Sequence, residues 1–290
     1  MPVIDSHHHL WDPDNGEFTW MTDEVAPLRR IFSAEDLRPL IAEAGVDATV
    51  LVQTQHRIQE THEYLQTAHD VDFVAGVVGW VDITDEAIAK TVADLLIRSD
   101  GRYLVGIRHL VHDEPDAEWL CRPDVRRGLE ALQRDGLVYD LLLRPRELPA
   151  AIKTVEAMPD MRFVVDHIAK PDIANQAWEP WAENMRRLGQ AGDVYCKLSG
   201  MVTEANWESW KPDDLRPYIE EAIDIFGPDR CMFGSDWPVC TLAGSYSAVK
   251  QALESATAGL SDGERESIFG KTAVEAYRLP DYHSLSESDI

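Results

Sequence analysis

Eight short apolar runs rich in β-branched residues recur along the chain, at 3–4, 48–53, 73–80, 104–109, 137–143, 162–167, 194–199 and 231–236. Runs that stay apolar instead of alternating belong to strands buried on both faces, as in parallel sheets covered by helices. Segments with helical spacing lie between them. The stretch 33–44 opens on Ser33 as N-cap and closes on Gly45. In 85–97, Ile88, Val92, Leu95 and Leu96 fall on one face. Further helices are expected at 124–134, 149–157, 178–191, 215–226, 246–257 and 261–277. Strand–helix alternation to a count of eight predicts a closed (β/α)8 TIM barrel in the α/β class. An open doubly wound sheet usually has fewer strands, and no Gly-x-Gly-x-x-Gly turn follows the first run. The expectation is one barrel domain over 1–280, with room for distortion, and a polar tail at 281–290. The first connection, 11–31, carries Trp11, Phe18 and Trp20 and is expected to fold over the barrel mouth.

In such a barrel the functional residues sit where strands end. The first strand ends in His7-His8-His9. Side chains alternate along a strand, so His7 and His9 share one face and His8 turns to packing. Two neutral imidazoles on one face form half of a site for zinc or a similar divalent ion. Later strand ends supply Gln53, Trp80, Arg108, His109, Asp166, His167, Lys170, Lys197, Ser199, Asp236 and Trp237. Asp166 reads as an orienting partner, and Lys197 as either a buried ion-pair member or a contact. His56, His62, His69, His112 and His283 default to the surface. Ser199 lacks the Gly-x-Ser-x-Gly setting of a nucleophile. Trp207 and Trp210 fit either the mouth or plain packing.

The chain carries 27 Lys+Arg against 52 Asp+Glu, a net charge of −25. That field repels phosphate backbones and anionic membranes, so neither nucleic acid nor lipid is an expected partner. The four cysteines show no Cys-x-x-Cys spacing and are expected to be reduced. No signal sequence and no apolar run of about 18 residues is present, so a cytoplasmic location is expected. Oligomeric state is left open.

The motifs Ile4-Asp-Ser-His-His-His-Leu-Trp11, Val105-Gly-Ile-Arg-His109, Asp166-His-Ile-Ala-Lys-Pro171, Cys196-Lys-Leu-Ser-Gly-Met-Val-Thr-Glu204 and Met232-Phe-Gly-Ser-Asp-Trp-Pro-Val239 resemble the amidohydrolase superfamily. The closest likeness is to its sugar-lactonase branch, the L-fucono-lactonases and related aldonolactonases, across about 3–279. The resemblance implies a hydrolase that opens a small sugar-derived lactone to its aldonic acid. It places metal or water activation on His7, His9, His167 and Asp236. Lactone opening needs a base for water, for which Asp236 is the candidate, with His167 and His109 also catalytic. It also needs groups for the carbonyl and the leaving alkoxide, which Arg108, His109 and Lys170 could supply. Gln53, Trp80 and Trp237 would contact the sugar. One divalent ion at most is implied, zinc or manganese, because no lysine is clearly placed as a carboxylated bridge. A lactonase for a dicarboxylated pyrone or muconolactone, a metal-dependent decarboxylase, and a barrel that only binds a ligand are the alternatives.

Overall fold

The computed structural model describes residues 1–279. The tail expected at 281–290 lies outside the described residues. The strands are β1 (Ile4–His8), β2 (Ala48–Val52), β3 (Val74–Gly79), β4 (Leu104–His109), β5 (Val138–Leu141), β6 (Phe163–Val165), β7 (Val194–Leu198) and β8 (Cys231–Phe233). They pair in parallel, each with its sequence neighbour, in one eight-stranded sheet. Around it run α1 (Ala34–Ala44), α2 (Ile58–Asp70), α3 (Ile88–Leu96), α4 (Pro123–Arg134), α5 (Leu148–Glu156), α6 (Trp181–Ala191), α7 (Met201–Glu204), α8 (Pro212–Phe226), α9 (Tyr246–Ala256), α10 (Asp262–Glu266) and α11 (Thr272–Tyr277). This is the expected (β/α)8 barrel, nearly closed.

Three helices differ from expectation, the short α7 after β7 being one of them. The segment after β2, given no helix above, forms α2. Its inward face includes the polar Glu60 and Thr61 beside Tyr64, Leu65 and Ala68, which blurs the apolar period. Glu60 is buried because it accepts from the backbone N–H groups of Thr54 (2.9 Å) and Gln55 (3.0 Å), tying the loop before the helix. The helix expected at 261–277 is broken into α10 and α11 by a π-helical turn at Ser267–Lys271. Helix α1 starts as expected, with reciprocal Ser33 and Asp36 bonds, and ends at Gly45 with φ 65°.

The register shifts in the β1–β2, β2–β3 and β3–β4 ladders, and the seam is irregular as well. Beyond β8 there is no long ladder to β1; Asp236 N donates to His7 O (2.8 Å) and His9 N to Trp237 O (2.7 Å). In β1, Ile4, Asp5 and His8 face Ala48, Thr49 and Leu51, so β1 carries one extra residue. Such a bulge re-aims the side chains beyond it. Ile4 lies in the interior apolar cluster, and the bulge lets His7 reach the interior as well.

Inside the barrel, Ile4, Val50, Val105, Val138, Val164 and Tyr195 form an apolar layer, joined by Val274 and Tyr277 from α11. Above it lies a charged layer: Arg108, Asp140, Asp166 and Lys197, each 0–2% exposed. The four cysteines are free thiols. Among the described residues no helix is long and apolar enough to cross a membrane.

Candidate active site

The strand ends bring four side chains to one point. His7 Nε2 lies 3.2 Å from His9 Nε2. Asp236 Oδ1 lies 3.4 Å from His9 Nε2 and 3.8 Å from the Nε2 atoms of His7 and His167. Four donors about 2.1 Å from a common tetrahedral centre would stand about 3.4 Å apart. His7, His9 and Asp236 each place one donor atom within 4.8 Å of the others, and imidazoles with a carboxylate are the donors a divalent transition ion takes. These three residues therefore fit a metal ion, with His167 Nε2 beside them at 3.8 Å from Asp236.

Backbone geometry sets these positions. His167, Ile168, Ala169 and Lys170 all have positive φ (54°, 46°, 57° and 48°), a left-handed turn closed by Lys170 N donating to His167 O at 2.8 Å. Non-glycine residues adopt this region only where the surroundings force it. The turn follows β6 directly and presents both His167 and Lys170 to one cavity. Asp236 also has positive φ, 55°. His9 Nδ1–H donates to Val52 O (2.7 Å), which leaves Nε2 of the neutral ring as a bare acceptor facing Asp236. His167 Nδ1 meets Ser199 Oγ at 2.8 Å.

Beneath the site, Arg108 donates to Asp166 (2.9 Å) and to the Gln53 carbonyl. Lys197 donates to Asp140 (2.6 Å) and lies 3.0 Å from Asp166 and 3.1 Å from His7 Nδ1. The Tyr277 hydroxyl donates to Asp140 at 2.8 Å. Lys197 is thus the buried ion-pair member. Burial pushes His7 well below the usual histidine range, helped by the charge of Lys197. Burial takes His167 down to about 3. Burial raises Asp236, but His167 and His9 outweigh it and hold the carboxyl below its ordinary value. The same contest at Asp166 is won by Lys197, His7 and Arg108.

A cavity of about 390 Å³ opens above His9, Arg108, His167, Lys170 and Asp236. Trp20, Val25, Leu28, Val239 and Leu242 give it an apolar wall, and the first connection does fold over the mouth. Lys170, paired with Glu204 at 2.7 Å, Thr203 and Arg144 contribute polar groups. Trp207 lines the mouth, whereas Trp210 packs with its indole N–H on Ala243 O.

Four residues expected at the site are placed elsewhere. His109 is stacked between His56 (4.0 Å) and Trp119 (4.3 Å). Its Nδ1 accepts from Trp80 and its Nε2–H donates to Glu114 at 2.7 Å. Trp80 is held by that bond and stacks on His56. Gln53 turns its amide to the Arg108 carbonyl (3.1 Å), and Trp237 packs edge-on against Phe32. On β4, Arg108 faces inward and strand alternation turns His109 out, while Trp237 lies beyond the end of β8, after Asp236 with its positive φ. His112, assigned to the surface above, lines the cavity beside Asp113. Arg144 was missed: it follows the end of β5, a strand end that supplied no candidate, and its guanidinium makes no hydrogen bond or ion pair among the described residues.

A family model described as amidohydrolase matches residues 4–279. The chain is 38% identical over 291 residues to an L-fucono-1,5-lactonase of Burkholderia multivorans, covering 96% of each. It is 36% identical over 282 residues to an L-fucono-1,5-lactonase of Burkholderia ambifaria, covering 95% of each. A crystal structure of an amidohydrolase from Burkholderia multivorans with bound zinc superposes with a TM-score of 0.92 at 35% identity, covering 97% of this chain and 100% of that one.

Proposed function

The chain belongs to the amidohydrolase family, and we propose that within it the protein hydrolyses an L-fucono-lactone-like sugar lactone to the aldonic acid. The observation that carries this reading is the convergence of Asp236 with three imidazoles on the floor of a cavity with one apolar and one polar wall. The apolar wall suits the methyl group of a deoxy sugar, and the polar groups suit its hydroxyls.

Asp236 is held ionised at neutral pH, so it takes the proton as water adds to the lactone carbonyl. Arg108 and Lys170 face the same cavity and donate to the carbonyl oxygen as it gains charge. The ring C–O bond then breaks, and the proton held on Asp236 passes to the departing alkoxide, leaving a new hydroxyl and a carboxylic acid that releases its own proton to solvent to become the carboxylate. His7, His9, His167 and Asp236 would hold one divalent ion, zinc or manganese, which when bound polarises the carbonyl and acidifies the water.

The test is proton release from a panel of aldono-1,4- and 1,5-lactones, with protein as isolated, after chelation and after return of zinc or manganese. Turnover of a deoxy sugar lactone, lost in Asp236→Asn, is expected. Silence across the panel with folded protein would overturn the reading. The unpaired Arg144 guanidinium favours a second reading, a lactone bearing carboxylates, so a dicarboxylated pyrone belongs in the panel.

A further inference from the structure

A second cavity, of about 640 Å³, adjoins the one above Asp236, which holds about 390 Å³. Trp20, Thr54, Leu110 and Asp113 line both, so the two meet along one side of the barrel mouth. The lactone chemistry above uses only the first. The second is the larger, and it has room for a further ring beside a lactone.

Its lining specifies what that ring would be. Trp20 is fixed by its indole N–H on Thr54 O (3.2 Å) and by edge-on packing against Trp11 (5.2 Å), so it gives both cavities a rigid apolar surface. Such a surface suits the C–H side of a sugar ring. His56 is clamped in a stack between Trp80 (5.6 Å) and His109 (4.0 Å). Its Nε2 accepts from Leu110 N at 3.1 Å, so the neutral ring carries its proton on Nδ1, a donor that makes no hydrogen bond among the described residues. Burial, helped by His109, lowers His56 to about 4 and keeps it neutral at pH 7.

Two acceptors complete the lining. Asp113 commits one carboxylate oxygen to His112 (3.2 Å), and Glu114 commits one to His109 (2.7 Å). The second oxygen of each makes no hydrogen bond among the described residues. Arg57, the arginine of this lining, is engaged by Glu63 and by Asn15 O, each at 3.2 Å. An anion here would meet two carboxylates with no free guanidinium to answer it. An ammonium group has no acceptor for the His56 N–H. An apolar group would strand the carboxylates without partners. A neutral ring of hydroxyls satisfies all of them, since each hydroxyl both donates and accepts.

We infer that this second cavity is a sugar subsite, and that the protein opens lactones carrying a further neutral glycosyl residue, with the lactone ring above Asp236 and the glycosyl ring against Trp20 and His56. The reaction is the lactone opening already described, and the glycosidic bond stays intact. This rests on the sugar-lactone reading and narrows its substrate class.

The test is proton release from a set of aldobionolactones, each assayed beside the aldonolactone it contains, with wild type, Thr19→Trp and His56→Phe. Thr19 is exposed and lines the second cavity and not the first, so tryptophan there fills the proposed subsite. His56→Phe keeps a ring in the stack and removes the donor. Wild type is expected to favour an aldobionolactone over its parent by about tenfold in kcat/KM, carried by KM, the worth of one or two net hydrogen bonds. Thr19→Trp should abolish that preference and leave the parent lactone within about twofold of wild type. His56→Phe should shrink it about threefold to fivefold. No aldobionolactone favoured over its parent, or a preference that survives Thr19→Trp, would overturn the inference. Silence on lactones of both kinds would sink the lactonase reading instead. Calorimetric titration with the aldobionate then judges the subsite alone, and equal affinity in wild type and Thr19→Trp would refute it.

Discussion

Gly200→Ala should separate backbone strain from site geometry. Gly200 follows Ser199 at the start of α7, with φ 64°. A Cβ there would stand 2.5 Å from Cγ and Nδ1 of His167, where ordinary contact begins at 3.4 Å. The imidazole must therefore retreat by about 0.9 Å, the gap between those two values. It cannot do so freely, because its own φ is 54° and its Nδ1 meets Ser199 Oγ at 2.8 Å. A displacement of about 1 Å in a reacting constellation costs about a hundredfold in rate. Alanine at positive φ adds about 1–2 kcal/mol of instability. Gly45 is the control: its φ is 65° and a Cβ there meets nothing within 4 Å. Gly45→Ala is expected to lose the same stability and keep full kcat/KM, while Gly200→Ala loses both. Urea midpoints and proton-release kinetics on the lactone measure the two quantities. A folded Gly200→Ala enzyme within roughly twofold of wild-type kcat/KM would refute the argument that His167 is held against Gly200 for catalysis.

Asp236→Asn removes the proton acceptor but keeps the shape, and a loss of about 10²–10⁴ in kcat/KM is expected by lactone assay. His109→Gln should cost far less by the same assay, since His109 faces away from the cavity. Burial lowers His109 to about 4 from an ordinary value of 6.5, so between those pH values the unfolded chain binds the extra proton. Stability should therefore fall as pH drops from 6.5 to about 4, and the fall in urea midpoint should be shallower in His109→Gln. Arg144→Gln should weaken inhibition by the aldonate product about two- to fivefold with kcat unchanged, the worth of one exposed ion pair. Product-inhibition constants decide it.

The barrel was legible because parallel strands covered on both sides must be apolar throughout, and eight such runs leave little choice of topology. Helix α2 was not, because Glu60 and Thr61 occupy its buried face, Glu60 tying the preceding loop and Thr61 the backbone of Trp80. His7, His9, His167 and Asp236 were legible as strand-end residues with metal-binding chemistry. The adjacent pair Arg108–His109 misled, because a strand's period of two lets only one of the two face the axis. The bulge in β1 and the left-handed turn at His167–Lys170 carry no sequence signature of their own, yet they aim three of the site's side chains. Arg144 stands just past the end of β5, which supplied no candidate, and Glu204 comes from the short α7, away from any strand end.

The charged layer beneath the site poses a question of stability that one pair of variants can answer. Arg108, Lys197, Asp140 and Asp166 balance in sign and are almost wholly buried. Desolvating such groups costs several kcal/mol each, which their mutual attraction only offsets. A network of this kind is a poor stability device, and its placement directly under His7 points to positioning instead. Lys197→Met alone leaves Asp140 and Asp166 with less cation in a dry interior, and about 3–5 kcal/mol should be lost. Lys197→Met/Asp140→Asn removes both partners, and the introduced amide oxygen can still accept from the Tyr277 hydroxyl, which lies 2.8 Å from the Asp140 carboxylate. That double variant should recover most of the loss, because apolar replacements of buried ion pairs are often neutral or stabilising by about 1–4 kcal/mol. Urea unfolding of the two variants measures the difference directly. If the double variant were as unstable as the single one, the layer would be holding the barrel together, and its role beneath His7 would be secondary.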